Sequence, residues 1–313
     1  MAINTIALAQ KMTTELDKAI VQKSVTGFLT DNAMRAKFVG AGTVLIPDVE
    51  LQGLGDYDRD TGAPQGSITL KTTTYTLTME RGRSFVLDEQ DADESGVPGL
   101  AGQIMGEFVR TKVIPEMDAY VLSKLATTAT SNNMTVTGTL TNGSFKLFND
   151  ACLKVWAALG YDEQLVAFVN DAFYADLMST SELTRRITIS DFKRGDIDTK
   201  VQSINGVAIL PAPSARMKTS FTFYDGKTDN SASGGVNQKI GGFVPASSAN
   251  DVGLIVMPKR AASLVKKTDK VRIFSPEVNQ DMQAWKFDYR LYYDLIIKNS
   301  MKKCIVTYTY SGT

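Results

Sequence analysis

The chain has 313 residues, 43% of them hydrophobic and 22% charged, which excludes a disordered polymer and supplies length for about two domains. Its 34 basic and 34 acidic side chains cancel, so no global field attracts nucleic acid or an anionic membrane. The absence of histidine removes Ser-His-Asp and Cys-His relays, imidazole metal ligands and the HExxH zinc site together.

Residues 1–12 lack the basic start of a signal peptide, and no apolar run approaches the ~20 residues that cross a bilayer, so the expected location is cytoplasmic. Cys152 and Cys304 lie far apart in apolar surroundings and read first as buried thiols of a reducing compartment, with a disulfide as the lesser reading. Over 4–29, Leu8, Met12, Leu16 and Ile20 recur every four residues, which predicts an amphipathic helix with one apolar stripe. Periodicity leaves open whether that stripe packs on its own body or on a partner.

From 36 to 94 the character changes to β. Phe38, Val39 and residues 43–46 read as strand ended by Pro47, and Gly53, Gly55, Gly62, Pro64 and Gly66 crowd a loop. Over 67–87, Tyr75, Leu77 and Met79 alternate with Thr74, Thr76 and Thr78, the pattern of one long strand with an apolar face. The prediction is a long two-stranded ribbon with a glycine-rich tip, too weak to stand alone.

Ser95 is a candidate cap for a helix over 100–128, with Ile104, Phe108, Val109, Met117, Tyr120, Val121 and Leu125 on its apolar side. Pro115 predicts a kink or break near Val113 and Ile114. Residues 131–144 are polar and mark a boundary. A helix over 145–159, a strand over 165–169, a helix over 171–178 and strands around 201–210 and 220–224 follow, then a loop over 230–242. The strand 252–257 and segments 272–274, 289–297 and 304–310 predict a closing antiparallel sheet.

The chemical motifs are weak. Residues 55–62 begin like a calcium loop, but Thr61 replaces the sixth-place Gly and Ser67 the twelfth-place Glu. Gly226, Lys227 and Thr228 resemble the end of a phosphate loop whose first glycine would be Phe221. Ser263 and Lys266 match SxxK without its companion motifs. Asp88, Glu89, Asp91, Asp93 and Glu94 are five acids that could hold a cation or act in hydrolysis, and read first as a solvated acidic turn. A hydrolase built on these acids or on Ser263 and Lys266 needs convergent groups in a pocket, and no catalytic residue, metal or cofactor is assigned.

Charge is segregated. Residues 48–94 hold eleven acids and four bases, net −7, whereas 259–313 hold eleven bases and five acids, net +6. A neutral chain divided this way can pair with itself or with copies of itself.

The order of these elements, with GLGDYDR at 53–59, ERGRSF at 80–85, VIPEMDAY at 113–120, PAPSARMK at 211–218, IFSP at 273–276 and WKFDYRLYYD at 285–294, resembles the major capsid proteins of tailed bacteriophages, those of Gram-positive hosts included. The resemblance covers nearly the whole chain. It implies an α+β Hong Kong phage-type fold with an N-terminal arm (1–35), an extended β-ribbon loop (36–94), a peripheral domain with a long spine helix (95–135 and 255–313) and an axial α/β domain (136–254). It also implies a structural, non-enzymatic protein whose hexamers and pentamers tile an icosahedral shell around packaged double-stranded DNA. Such a chain is assembled in a host cytoplasm, is carried in the virion, and meets scaffolding, portal or decoration proteins but no membrane. An encapsulin-like compartment is the alternative. There is no long charged N-terminal extension of the built-in scaffold kind, so either a scaffold is separate or this is a mature or short form. The candidate contacts between subunits are Leu8, Met12, Leu16 and Ile20 in the arm, Asp58, Arg59 and Asp60 at the tip, Arg81 and Arg83, and Lys266 and Lys267.

Overall fold

The computed structural model describes residues 24–30, 37–39, 42–60, 62–90, 101–141, 143–179, 187–194, 197–231 and 235–311. In chain order these form a short 3-10 turn (Gly27–Thr30), β1 (Lys37–Val39), β2 (Thr43–Leu51), β3 (Ile68–Thr76) and β4 (Met79–Asp88). Then come α1 (Ala101–Phe108), a π-helical turn (Val109–Val113), α2 (Ile114–Ser131), β5 (Thr135–Val136), α3 (Ser144–Leu159), β6 (Leu165–Val169) and α4 (Asp171–Ser179). The remaining strands are β7 (Ile187–Arg194), β8 (Ile197–Ile204), β9 (Val207–Pro211), β10 (Phe221–Phe223), β11 (Phe243–Pro245), β12 (Asp251–Pro258), β13 (Ala262–Phe274), β14 (Ala284–Ile297) and β15 (Val306–Tyr310).

The spine is α1, the π turn and α2 in continuous succession. Pro115 has no N–H to give to the preceding turn, and the backbone widens just before it, so that Ile114 N–H reaches Val109 O five residues back. The expected break is therefore a local widening, with Phe108 and Val113 both still helical. Met105, Val109, Met117, Val121, Leu125 and Ala129 form its fully buried side.

Two sheets sandwich this helix. In the first, ordered β13-β14-β4 and antiparallel throughout, every second residue of β14 from Phe287 to Ile297 faces the spine, as the two-residue period of a strand requires. The opposite face presents Tyr292 and Ile296 to Val44, Ile46 and Leu77 at the base of the ribbon. The second sheet has seven strands in the order β5-β15-β12-β6-β9-β8-β7, parallel only at β5/β15 and β6/β9. Val166 and Phe168 of β6 join the spine's core, while Leu165, Ala167 and Val169 join a second core under α3 and α4. Covered on both faces, β6 is a continuous apolar run.

Several expectations change. The single strand over 67–87 is two, β3 and β4, in different sheets. Between them Leu77 turns into the core at the ribbon base, and Thr78 N–H bonds Asp294 Oδ2 at 3.2 Å. Pro47 lies within β2 instead of ending it. The described pairing of β1 runs only from Thr43 to Leu45, so among the described residues the missing donor of Pro47 costs no ladder bond. β13 and β14 start at Ala262 and Ala284, well before the expected strands. Cys304 ends a 3-10 turn (Asn299–Cys304) ahead of β15. Residues 24–26 are not helical and 27–30 form the 3-10 turn, which contradicts the end of the expected 4–29 helix. The rest of that helix, with Leu8, Met12, Leu16 and Ile20, and the Ser95 cap lie outside the described residues.

Candidate assembly interface

The ribbon is anchored at its base and open at its end. Leu77 N–H bonds Gly42 O at 2.8 Å, and the small cluster of Val44, Ile46, Leu77 and Ile296 holds this base to β14. Beyond it β2 and β3 pair through nine residues each, and the tip closes on itself. Asp58 and Gly62 exchange backbone hydrogen bonds of 3.2 and 2.8 Å, Asp60 N–H bonds Asp58 Oδ1 at 2.9 Å, and Gly62 takes φ 84°, a left-handed conformation that suits glycine. This shaped turn carries apolar groups into solvent: Leu54 is fully exposed, and Tyr57, Ile68 and Leu70 are 70–77% exposed. Four large apolar side chains exposed on one ribbon make it a candidate interaction surface.

The candidate residues separate into two groups. Asp58, Arg59 and Asp60 stand exposed at the tip. Arg81, by contrast, forks onto Glu116 (Nε–Oε1 2.6 Å, Nη2–Oε2 3.3 Å) and bonds Tyr224 O at 2.7 Å, joining β4 to the spine and to the loop after β10. Arg83 Nη1 donates to Lys239 O at 3.1 Å. Lys266 pairs with Asp269 at 3.3 Å, both largely buried, and Lys267 lies over the Phe38 ring at 5.9 Å. The acidic and basic segments do meet in one chain where β4 pairs with β14, through Glu80 and Arg290.

The weak motifs resolve into structure. Asp225 Oδ1 accepts the N–H groups of Lys227 and Thr228, both at 2.9 Å, so these amides are already used and do not cradle a phosphate. These bonds, with the Thr228 hydroxyl first among them, hold the Asp225 carboxyl down at about 2. Ser263 and Lys266 are three apart on a strand and face opposite sides of the sheet, and Ser263 is buried. Asp88 and Glu89 are exposed, and Asp91, Asp93 and Glu94 lie outside the described residues. Among the described residues no three His, Cys, Asp or Glu side chains gather as a metal site, and no helix is long and apolar enough to cross a membrane. Both cysteines are free and buried, and burial pushes the Cys152 thiol up to about 12.

Two buried carboxylates escaped the sequence reading. Asp118, fully buried on α2, accepts from Ser24 Oγ (2.5 Å), Thr26 Oγ1 (2.7 Å), the N–H groups of Val25 and Thr26 (3.2 Å each) and Arg216 Nη1 (3.2 Å). Asp294, 3% exposed, accepts from Lys124, from Tyr120 OH (2.7 Å) and from the Thr78 hydroxyl (3.0 Å). The available signal was an acid on an otherwise apolar face or run, Asp118 next to Met117 and three residues before Val121 on the spine's buried side and Asp294 within residues 291–297.

No family model and no curated protein matches the chain. Solved structures do. The capsid of the cyanophage P-SCSP1u matches with TM-score 0.54 and 11% identity, covering 88% of this chain and 86% of its own. The mature capsid of bacteriophage PhiM1 matches with TM-score 0.53 and 10% identity, over 86% and 82%. A structure of Mycobacterium phage Che8 matches with TM-score 0.52 and 14% identity, over 86% and 84%. Spine, ribbon and two-faced sheet together therefore make the fold of this chain that of tailed-phage capsid proteins.

Proposed function

We propose that this chain is a major capsid protein, many copies of which tile an icosahedral shell, as hexamers and pentamers, around packaged double-stranded phage DNA. The observation that carries this reading is the ribbon. Among the described residues it is welded to its own body at the base and holds Leu54, Tyr57, Ile68 and Leu70 in solvent, an arrangement that gains stability from another surface. The fold shared with phage capsids supports the same reading. Scaffolding, portal and decoration proteins are the further partners it entails, and the virion is its final location.

Expression with and without neighbouring phage genes, followed by light scattering and negative-stain microscopy, tests it. Closed shells are expected. A strict monomer under every condition, with a ribbon that resists proteolysis, overturns the proposal. Shells that enclose a co-purifying enzyme and never DNA would identify a compartment instead.

A further inference from the structure

The eleven bases of residues 259–313 have different fates. Lys266, Lys286 and Arg290 pair with Asp269, Asp281 and Glu80, and Lys267 lies over Phe38. Five others gather at one end of the body. At that end of the β13/β14 ladder Ala262 faces Ile297, so the turn holding Lys259 and Arg260 emerges beside Lys298, which caps the 3-10 turn carrying Lys302 and Lys303. The loop before β6 lies against them: Lys259 N–H bonds Gln164 O at 3.0 Å, and Arg260 pairs with Glu163. With Asp162 beside Glu163, the patch sets five cations against two acids. Lys298, Lys302 and Lys303 have no carboxylate at ion-pair distance among the described residues, and Lys298 and Lys303 stand exposed.

Lysines with no acid to pair with complement a polyanion. At the rise of a 3-10 turn, Lys298 to Lys303 spans about 10 Å. One strand of duplex DNA carries a phosphate about every 3.4 Å along the axis, so three ammonium groups over that length face about three phosphates. Lys302 also lines a groove of about 420 Å³ between the C-terminal half of α2 and residues 219–223, and no acidic side chain lines it. A protein partner is the poorer fit, because protein interfaces are centred on aromatic and other anchors and are depleted in lysine. The 3-10 turn exposes no large apolar side chain, and its Met301 packs against the core. We propose that this turn is the surface that meets the phosphate backbone of duplex DNA, which directs this end of the body to the inside of the shell. This deepens the capsid reading and rests on it. Contacts to phosphate alone carry no sequence preference, which suits a shell that encloses any stretch of duplex.

The test is binding of the soluble full chain to a short fluorescent duplex, read by anisotropy. With three phosphates neutralised, affinity should fall about 40-fold between about 50 and 200 mM salt. Lys298→Glu with Lys302→Glu and Lys303→Glu should weaken binding at about 50 mM salt about tenfold or more. Lys270→Glu with Arg272→Glu, at exposed positions of β13, should change it by less than about threefold. If the triple variant unfolds, Lys298→Gln with Lys303→Gln, both at exposed positions, still decides: the logarithmic salt slope should flatten by about 2. No duplex binding at about 50 mM salt, or equal loss in both sets of variants, overturns the inference. So does a chain that binds polyglutamate and not the duplex, which would make the patch a dock for an acidic protein. Normal shells beside any of these results leave the capsid reading standing. Failure of the unmodified chain to form shells in any condition removes that reading and the inference with it.

Discussion

Asp118 is a charge in a place where charges are expensive, and its five donors explain why it stays. They come from the segment entering the core and from Arg216, so one carboxylate ties the start of the described chain, the spine and the 3-10 turn Ser214–Arg216 together. Asp118→Ala leaves those donors and the Arg216 cation without an acceptor, and should cost about 3–5 kcal/mol in urea denaturation, with Asp118→Asn losing less. A loss under 1 kcal/mol would mean that water replaces the carboxylate. The buried thiol and phenols give a pH dependence. Burial raises Cys152 from its ordinary 9.0 to about 12, and burial first, then Asp294, raises Tyr120. Tyr293 is also raised, chiefly by burial. The folded chain therefore holds these protons more tightly than the unfolded one, so stability is intact below pH 9 and falls as pH rises through the window up to about 12. Urea midpoints between pH 7 and 11 should decline above pH 9, and a flat profile would contradict it. Thiol reagents at pH 8 should modify Cys152 only at the rate of unfolding.

Elements of this molecule differ in what they contribute to its own stability. The segment 24–30 belongs to the core: Phe28 and Leu29 are fully buried, and Phe28 stacks on Phe168 at 6.0 Å. Removing residues 1–23 should leave the unfolding of the soluble monomer nearly unchanged while shells fail, whereas removing 1–30 should cost about 3–5 kcal/mol or prevent folding. If the shorter truncation proves equally damaging, Leu8, Met12, Leu16 and Ile20 belong to the chain's own core. The ribbon is the converse case. Replacing residues 53–66 by a short turn should change monomer stability by no more than ~0.5 kcal/mol and abolish assembly. Leu77→Ala, at the base, should cost ~2–3 kcal/mol and expose the ribbon to protease.

At the scale of the whole molecule, a spine helix is shared by two sheets, and the proposed assembly makes the charged groups at the surface candidates for contacts between copies. Each exposed ion pair is worth only ~0–1 kcal/mol, but a shell repeats it many times, and weak repeated contacts allow misplaced copies to leave. Assembly followed by light scattering should therefore weaken as salt shortens the screening length below ~10 Å, and salt-independent assembly would assign the contact to apolar groups alone.

Where side-chain periodicity persists over many residues, local spacing was enough to read the element. β6 lies at its expected bounds, α3 and α4 within a residue of theirs, and the spine helix and ribbon are present. The order of these elements carried the resemblance to phage capsid proteins. The strand expected around 201–210 is instead broken by a turn at Asn205 and Gly206, both at positive φ, into β8 and β9. Long-range partners decided the rest. A strand's period says that it has two faces but not where the chain leaves one sheet for another, so the division at Leu77 and Thr78 waited on Asp294, 216 residues away. The early starts of β13 and β14 were hidden because their outer faces alternate charged groups that only the pairing explains. The clasp on Asp118 and the basic patch in which Arg260 meets Glu163 join segments roughly a hundred residues apart, and no local pattern encodes such a meeting. Spacing along the chain sets which faces are apolar, and burial against distant partners sets which of them meet.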